Sequence, residues 1–145
     1  MDFTPSPKVE EFRKRIVDFM EQHVYPIEQE AGHQADLIRP GVPYPPLVVE
    51  LRKKGKAAGL WNLFLPDEEY GAGLTNWEYG ILCEQMGRSP LAAFAFNCSA
   101  PDTGNIEILA EFGTPEQKKQ WLVPLLAGDI RSCFSMTEPE VAGSD

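Results

Sequence analysis

The chain has 145 residues, with 13 Lys and Arg against 22 Asp and Glu and a formal net charge of −9. That balance excludes the clustered positive field that nucleic-acid phosphates or an anionic membrane surface require. Hydrophobic residues make up 43% and charged residues 24%, which excludes disorder and supplies apolar surface for a core that needs no metal or disulfide staple.

Val9, Phe12, Ile16, Phe19, Met20, Val24 and Ile27 recur at helical spacing behind Ser6-Pro7, a pair suited to an N-cap and first turn. This predicts one long amphipathic helix that Pro26 kinks or ends near Tyr25. Gln29 to Pro46, rich in Pro, Gly and polar residues, reads as a connecting loop. Leu47, Leu51 and Ala58 mark a second helix, with Gly59 at its left-handed end. Leu60 to Pro66 is too apolar for a solvent loop and reads as a buried crossing segment before the Gly71-Ala72-Gly73 turn.

Thr75-Asn76-Trp77-Glu78 is a capping box and opens a third helix that carries Trp77, Ile81, Leu82 and Met86. Gly87 to Pro90 stops it, and Leu91 to Phe96 forms a further short helix. Asp102 is placed to cap the next, with Ile106, Leu109 and Phe112 inward and Gly113 at its end. Thr114-Pro115-Glu116-Gln117 is a second capping box, opening a helix through Trp121, Leu122 and Leu125 to Gly128. After Ile130, Ser132, Phe134 and Met136 alternate with Cys133, Ser135 and Thr137, the period of a β-strand. The expected fold is mainly α, a helical domain over 1–129 followed by the start of a β-domain over 130–145. A lone strand cannot satisfy its own ladder of hydrogen bonds, so the chain is expected to be truncated within a longer protein.

Cys83, Cys98 and Cys133 are odd in number and far apart, so neither a disulfide framework nor a Cys-x-x-Cys metal site is expected. His23 and His33 stand alone, and no metal is expected there either. The thiols suit a reducing compartment, and the start, Met1-Asp2-Phe3-Thr4, lacks a secretory pattern. No run reaches the roughly 18 apolar residues of a membrane span. The expected location is cytoplasmic.

Met136-Thr137-Glu138-Pro139 leads into Val141-Ala142-Gly143-Ser144-Asp145. A hydroxyl residue at a strand end, a turn fixed by proline and exposed Gly-Ser donors suit an anion or a carbonyl-rich heterocycle. A capped turn accounts for the same residues.

Thr-Glu-Pro, a spacer and Ala-Gly-Ser-Asp here resemble the signature of the acyl-CoA dehydrogenases. Gly59-Leu60-Trp61-Asn62-Leu63, Tyr70-Gly71-Ala72-Gly73-Leu74, Glu84-Gln85-Met86-Gly87-Arg88 and Gly113-Thr114-Pro115-Glu116-Gln117-Lys118-Lys119, through Pro124 to Gly128, are similar to that family's N-terminal helical domain in the same order. The spacer Glu140-Val141 is one residue longer than in the common short- and medium-chain enzymes. Together with the stretch from Asn97 to Asn105, it is similar to a branch that prefers longer acyl chains.

The resemblance implies the N-terminal helical bundle of the acyl-CoA dehydrogenase fold, with the first strand of its β-domain at the C-terminus. It implies a flavoenzyme that oxidises acyl-CoA thioesters to trans-2-enoyl-CoA, passing hydride to FAD and electrons to an electron-transferring flavoprotein. Phe134, Ser135, Met136 and Thr137 would line the flavin ring, and Gly143 and Ser144 would approach FAD and the acyl-CoA. Phe96, Asn97, Ala100 and Gly104 would lie along the acyl pocket. The general-base glutamate is expected beyond Asp145, so no catalytic residue is assigned within the chain and it is expected to be inactive alone. The full-length enzyme would be a homodimer or homotetramer. The alternatives are an acyl-CoA oxidase or flavin monooxygenase on the same scaffold, and a non-catalytic helical interaction module.

Overall fold

A computed structural model describes residues 4–35, 42–136 and 138–140, with the side chains of 32–35 left aside. The first helix, α1, runs Pro7–Phe19. The Ser6 hydroxyl accepts the Val9 amide at 3.4 Å, satisfying a donor that the helix start leaves orphaned. A π turn over Met20–Val24 and a 3-10 turn over Tyr25–Ile27 then lead into α2, Glu28–Ala35.

Pro26 therefore does not end the helical path, and the loop expected from Gln29 is helical as far as Ala35. The reason is local. The Tyr25 amide donates to the Met20 carbonyl, five residues back, so the ladder has already widened where the proline lacks its N–H. Pro124 repeats the arrangement: the Val123 amide donates to the Lys118 carbonyl immediately before it.

Helix α3, Pro46–Ala57, ends at Gly59, whose φ of +64° is the left-handed geometry its sequence position predicts. Leu60, Leu63, Phe64 and Leu65 are buried, as expected of a crossing segment. Helix α4, Asn76–Met86, opens on the complete Thr75/Glu78 capping box. Glu78 also accepts the Ser6 hydroxyl at 3.0 Å, which ties the start of α1 to the start of α4. Helix α5 is Leu91–Ala95 and α6 is Asp102–Phe112. A second complete box, Thr114 with Gln117, opens α7, Pro115–Gln117, and the π turn over Lys118–Leu122 joins it to α8, Val123–Ala127.

Helix α1 packs along α4, and α3 along α5. Between them lies the main core, which includes Val9, Ile16, Met20, Leu51, Leu82 and Phe96. A second core joins Phe64, Leu65, Ile106, Leu122 and Leu125 under α6 and α8. Burying each such aliphatic or aromatic side chain stabilises the fold by about 1.5–3 kcal/mol relative to leaving it in water.

Three apolar residues of the expected stripes lie outside these cores. Trp77 and Trp121 are exposed, and Phe112 is 73% exposed rather than inward. Periodicity marks an apolar stripe, but only a neighbour in space decides which part of it is covered. No β-strand forms among the described residues, and 131–136 carry neither helix nor ladder. A ladder needs a second strand alongside.

Candidate functional site

Of the residues singled out in the sequence, Gly104 and Phe134 meet at one edge of the molecule, where the segment after Ile130 crosses the first turn of α6. Asp102 does not cap α6, since its side chain makes no capping bond there. Its Oδ1 instead accepts the Ser132 amide at 2.7 Å and the Ser132 hydroxyl at 2.6 Å. The Asn105 side-chain amide donates to that same hydroxyl oxygen at 2.7 Å. Asp102 is only 7% exposed, so these short bonds offset the cost of taking a carboxylate out of water.

Two residues further on, the tip of the Phe134 ring approaches Gly104: a Cβ at position 104 would stand 3.4 Å from Phe134 Cζ, in van der Waals contact with it. The outer surface here is apolar: Phe134 is 54% and Met136 75% exposed, and Ile108 and Trp121 are exposed too. A groove of about 460 Å³ opens beside it, lined by Asn105, Ile108, Trp121, Ile130, Arg131 and Ser132.

The other predicted residues separate into two groups. Ala100 is exposed and Gly104 partly so, whereas Phe96 is 1% and Asn97 4% exposed, leaving those two no face open to a ligand. The Phe96 ring packs 5.1 Å from that of Phe19. Ser135 is exposed beside Phe134 and Met136. Thr137, Gly143 and Ser144 lie outside the described residues.

Asn97 belongs to a buried polar knot that holds the turn between α5 and α6. Its side-chain amide donates to Asn62 Oδ1 at 2.8 Å and to the Leu125 carbonyl at 3.4 Å, while its Oδ1 accepts from Arg52 Nη2 at 3.3 Å. Asn62 and Trp61 both donate to the Leu126 carbonyl, at 3.0 and 2.7 Å. The Arg52 guanidinium is stacked between two rings, 4.5 Å from the centroid of Tyr44 and 4.8 Å from that of Trp61. Burial lowers its pKa from the ordinary value, a tendency opposed by its electrostatic interactions with Tyr44 and Asp102. Sequence reasoning missed this knot and the role of Asp102, although Asn is the residue after glycine that most readily adopts left-handed geometry.

Among the described residues no group of three or more His, Cys, Asp and Glu could hold a metal, and no helix is long and apolar enough to cross a membrane. The thiols are free. Burial pushes the Cys98 thiol up to about 11, and the Cys83 thiol is raised for the same reason.

Residues 6–129 match the model of the acyl-CoA dehydrogenase N-terminal domain. The chain belongs to the acyl-CoA dehydrogenase family. It is 58% identical to mouse "Acyl-CoA dehydrogenase family member 10" over 97% of its length, which is 14% of that relative. It is 51% identical to "Probable acyl-CoA dehydrogenase FadE2" of Mycobacterium tuberculosis over 100% of its length, 35% of that relative. A solved structure described as a "putative acyl-CoA dehydrogenase from Mycobacterium abscessus" superposes with a TM-score of 0.86 at 49% identity, covering 98% of this chain and 37% of that one. The chain thus spans well under half the length of these acyl-CoA dehydrogenase relatives.

Proposed function

We propose that this chain is the N-terminal helical part, residues 1–129, and the opening of the β-domain, residues 130–145, of an FAD-dependent enzyme that oxidises acyl-CoA to trans-2-enoyl-CoA. The observation that carries the reading is the exposed apolar edge of Phe134 and Met136 at the foot of the Thr137-Glu138-Pro139 sequence, in a chain of this family. FAD, when bound, supplies the acceptor for the hydride leaving the acyl β-carbon. The chain's own residues fit one wall of such a site. Phe134 and Met136 offer a flat aromatic and a polarisable thioether surface, and Ser135 adds a hydroxyl. Thr137 would donate to the polar edge of the ring, and Gly143 and Ser144 would approach the cofactor and the acyl-CoA.

The acyl chain would run past Ala100 and Gly104, with Phe96 and Asn97 setting the turn beneath it rather than touching it. Electrons would leave to an electron-transferring flavoprotein, the full-length enzyme being a homo-oligomer. Three free cysteines fit a reducing, cytoplasmic setting.

Steady-state turnover of the full-length protein tests the reading, with the flavoprotein acceptor under anaerobic conditions compared with oxygen alone. Dehydrogenase activity requires the flavoprotein, whereas oxygen sufficing would mark an oxidase or monooxygenase. No turnover of any thioester would leave an interaction module. Thr137→Val should slow flavin reduction or reduce flavin content, since one lost hydrogen bond costs on the order of 1 kcal/mol. Gly104→Leu should shorten the longest acyl chain accepted.

A further inference from the structure

Resting on the flavin-facing reading of 134–137, we propose that Asp102 and Asn105 are positioning residues. They form a socket on the first turn of α6 that sets where the segment from Ser132 to Phe134 lies, and so where its wall meets the flavin. Both donors of Ser132, its backbone amide at 2.7 Å and its hydroxyl at 2.6 Å, end on one carboxylate oxygen of Asp102. The hydroxyl oxygen is held from a third direction by Asn105 at 2.7 Å. A residue gripped by its main chain and its side chain together can neither slide along α6 nor rotate about the chain.

The next link follows from chain geometry. Phe134 follows Ser132 by two residues, so fixing Ser132 against α6 keeps Phe134 close to α6, where its Cζ lies 3.4 Å from the position a Cβ on Gly104 would take. Ser135 is exposed, with Met136 75% exposed beyond it. The socket is built from a buried charge. With Asp102 7% exposed, losing Ser132 would strand a carboxylate without two of its donors, so the tail is held far more firmly than a surface serine and aspartate would hold it.

The test uses the flavin-loaded full-length protein with Ser132→Ala, Asp102→Ala and Asp102→Asn, read by FAD dissociation constant, shape of the visible flavin band, and kcat against KM for acyl-CoA. Ser132→Ala, which loses one charge-assisted hydrogen bond to Asp102, is expected to weaken FAD roughly tenfold, and Asp102→Ala, which loses two, at least as much. They should also shift the flavin band and lower kcat more than they raise KM. Asp102→Asn, which keeps a side-chain oxygen to accept from Ser132, should recover most of the loss. The double variant Asp102→Ala with Ser132→Ala should be little worse than Asp102→Ala alone, because that variant already removes the bond between the Ser132 hydroxyl and the carboxylate. If Asp102→Ala fails to fold, Ser132→Ala on the outer segment carries the test alone. An unsubstituted protein that holds flavin and turns over, with Ser132→Ala changing only thermal stability, overturns the socket and leaves the proposed function standing. An unsubstituted protein that takes up no flavin overturns both.

Discussion

The side-chain amide of Asn97 donates to the side-chain oxygen of Asn62 at 2.8 Å, and both residues stand in left-handed backbone geometry, φ +56° and +57°. The two turns they occupy belong to different parts of the chain, and the Asn62 amide donates to the Phe96 carbonyl at 3.1 Å as well. With the Leu125 and Leu126 carbonyls also recruited, this pair fixes the entrance to α6 against the end of α8.

Asn97→Ala removes the buried hydrogen bonds, at about 1–3 kcal/mol, and with them the polar side chain that lets a residue with a Cβ hold left-handed geometry, at about 1–2 kcal/mol more. Urea unfolding should therefore show a loss of about 2–5 kcal/mol. Asn97→Gly keeps the backbone relaxed and should lose about 1 kcal/mol less. Equal losses in the two variants would show that the left-handed geometry carries no cost.

Two glycines in helices should respond in opposite directions. A Cβ at Gly55 would overlap the Ala95 carbonyl where α3 packs on α5, so Gly55→Ala should destabilise by about 1–3 kcal/mol. Gly80 lies inside α4 with nothing within 4 Å of its Cβ position, and Gly80→Ala should stabilise by about 0.5–1 kcal/mol. Thermal denaturation of both variants decides this, and a stable Gly55→Ala protein would contradict the close packing of α3 on α5.

Glu78 supplies the pH dependence. The Thr75 amide, then the Ser6 and Thr75 hydroxyls, hold its carboxyl below the usual carboxylate range. A lowered folded value means that its contribution is complete above the unfolded pKa, about 4.3, and is lost as pH falls through the folded one. The stability gap between the natural chain and Glu78→Gln should be constant from pH 7 to 5 and close at lower pH. A gap that persists unchanged to pH 2 would show that the charge of Glu78 contributes nothing to the link between α1 and α4.

Features written in short sequence windows were legible. Both capping boxes, the left-handed end at Gly59, the helix end at Gly128 and the buried run from Leu60 need only residues a few positions apart. What escaped depends on partners distant in sequence. Asp102 stands where a capping residue would, yet its carboxylate is taken by Ser132, 30 residues on. Trp121 and Phe112 continue apolar stripes, but no described element covers them. Pro26 looks like a helix end because the widened turn before it leaves no mark in hydrophobic spacing. At the site, the meeting of Gly104 with Phe134 was legible only as two separate expectations, one for the acyl pocket and one for the flavin wall.

Anaerobic mixing of the flavin-loaded full-length protein with acyl-CoA thioesters of increasing chain length, followed at the visible flavin band, tests the central claim most directly. The oxidised flavin absorbance should be lost with formation of one enoyl-CoA per flavin, fastest with the longer chains. The 145-residue chain alone should stay colourless and inactive with added FAD, because it offers one wall of a site whose ligand needs most of its surface enclosed. A flavin that remains oxidised with every acyl-CoA, or a 145-residue chain that is yellow and active by itself, would contradict that claim.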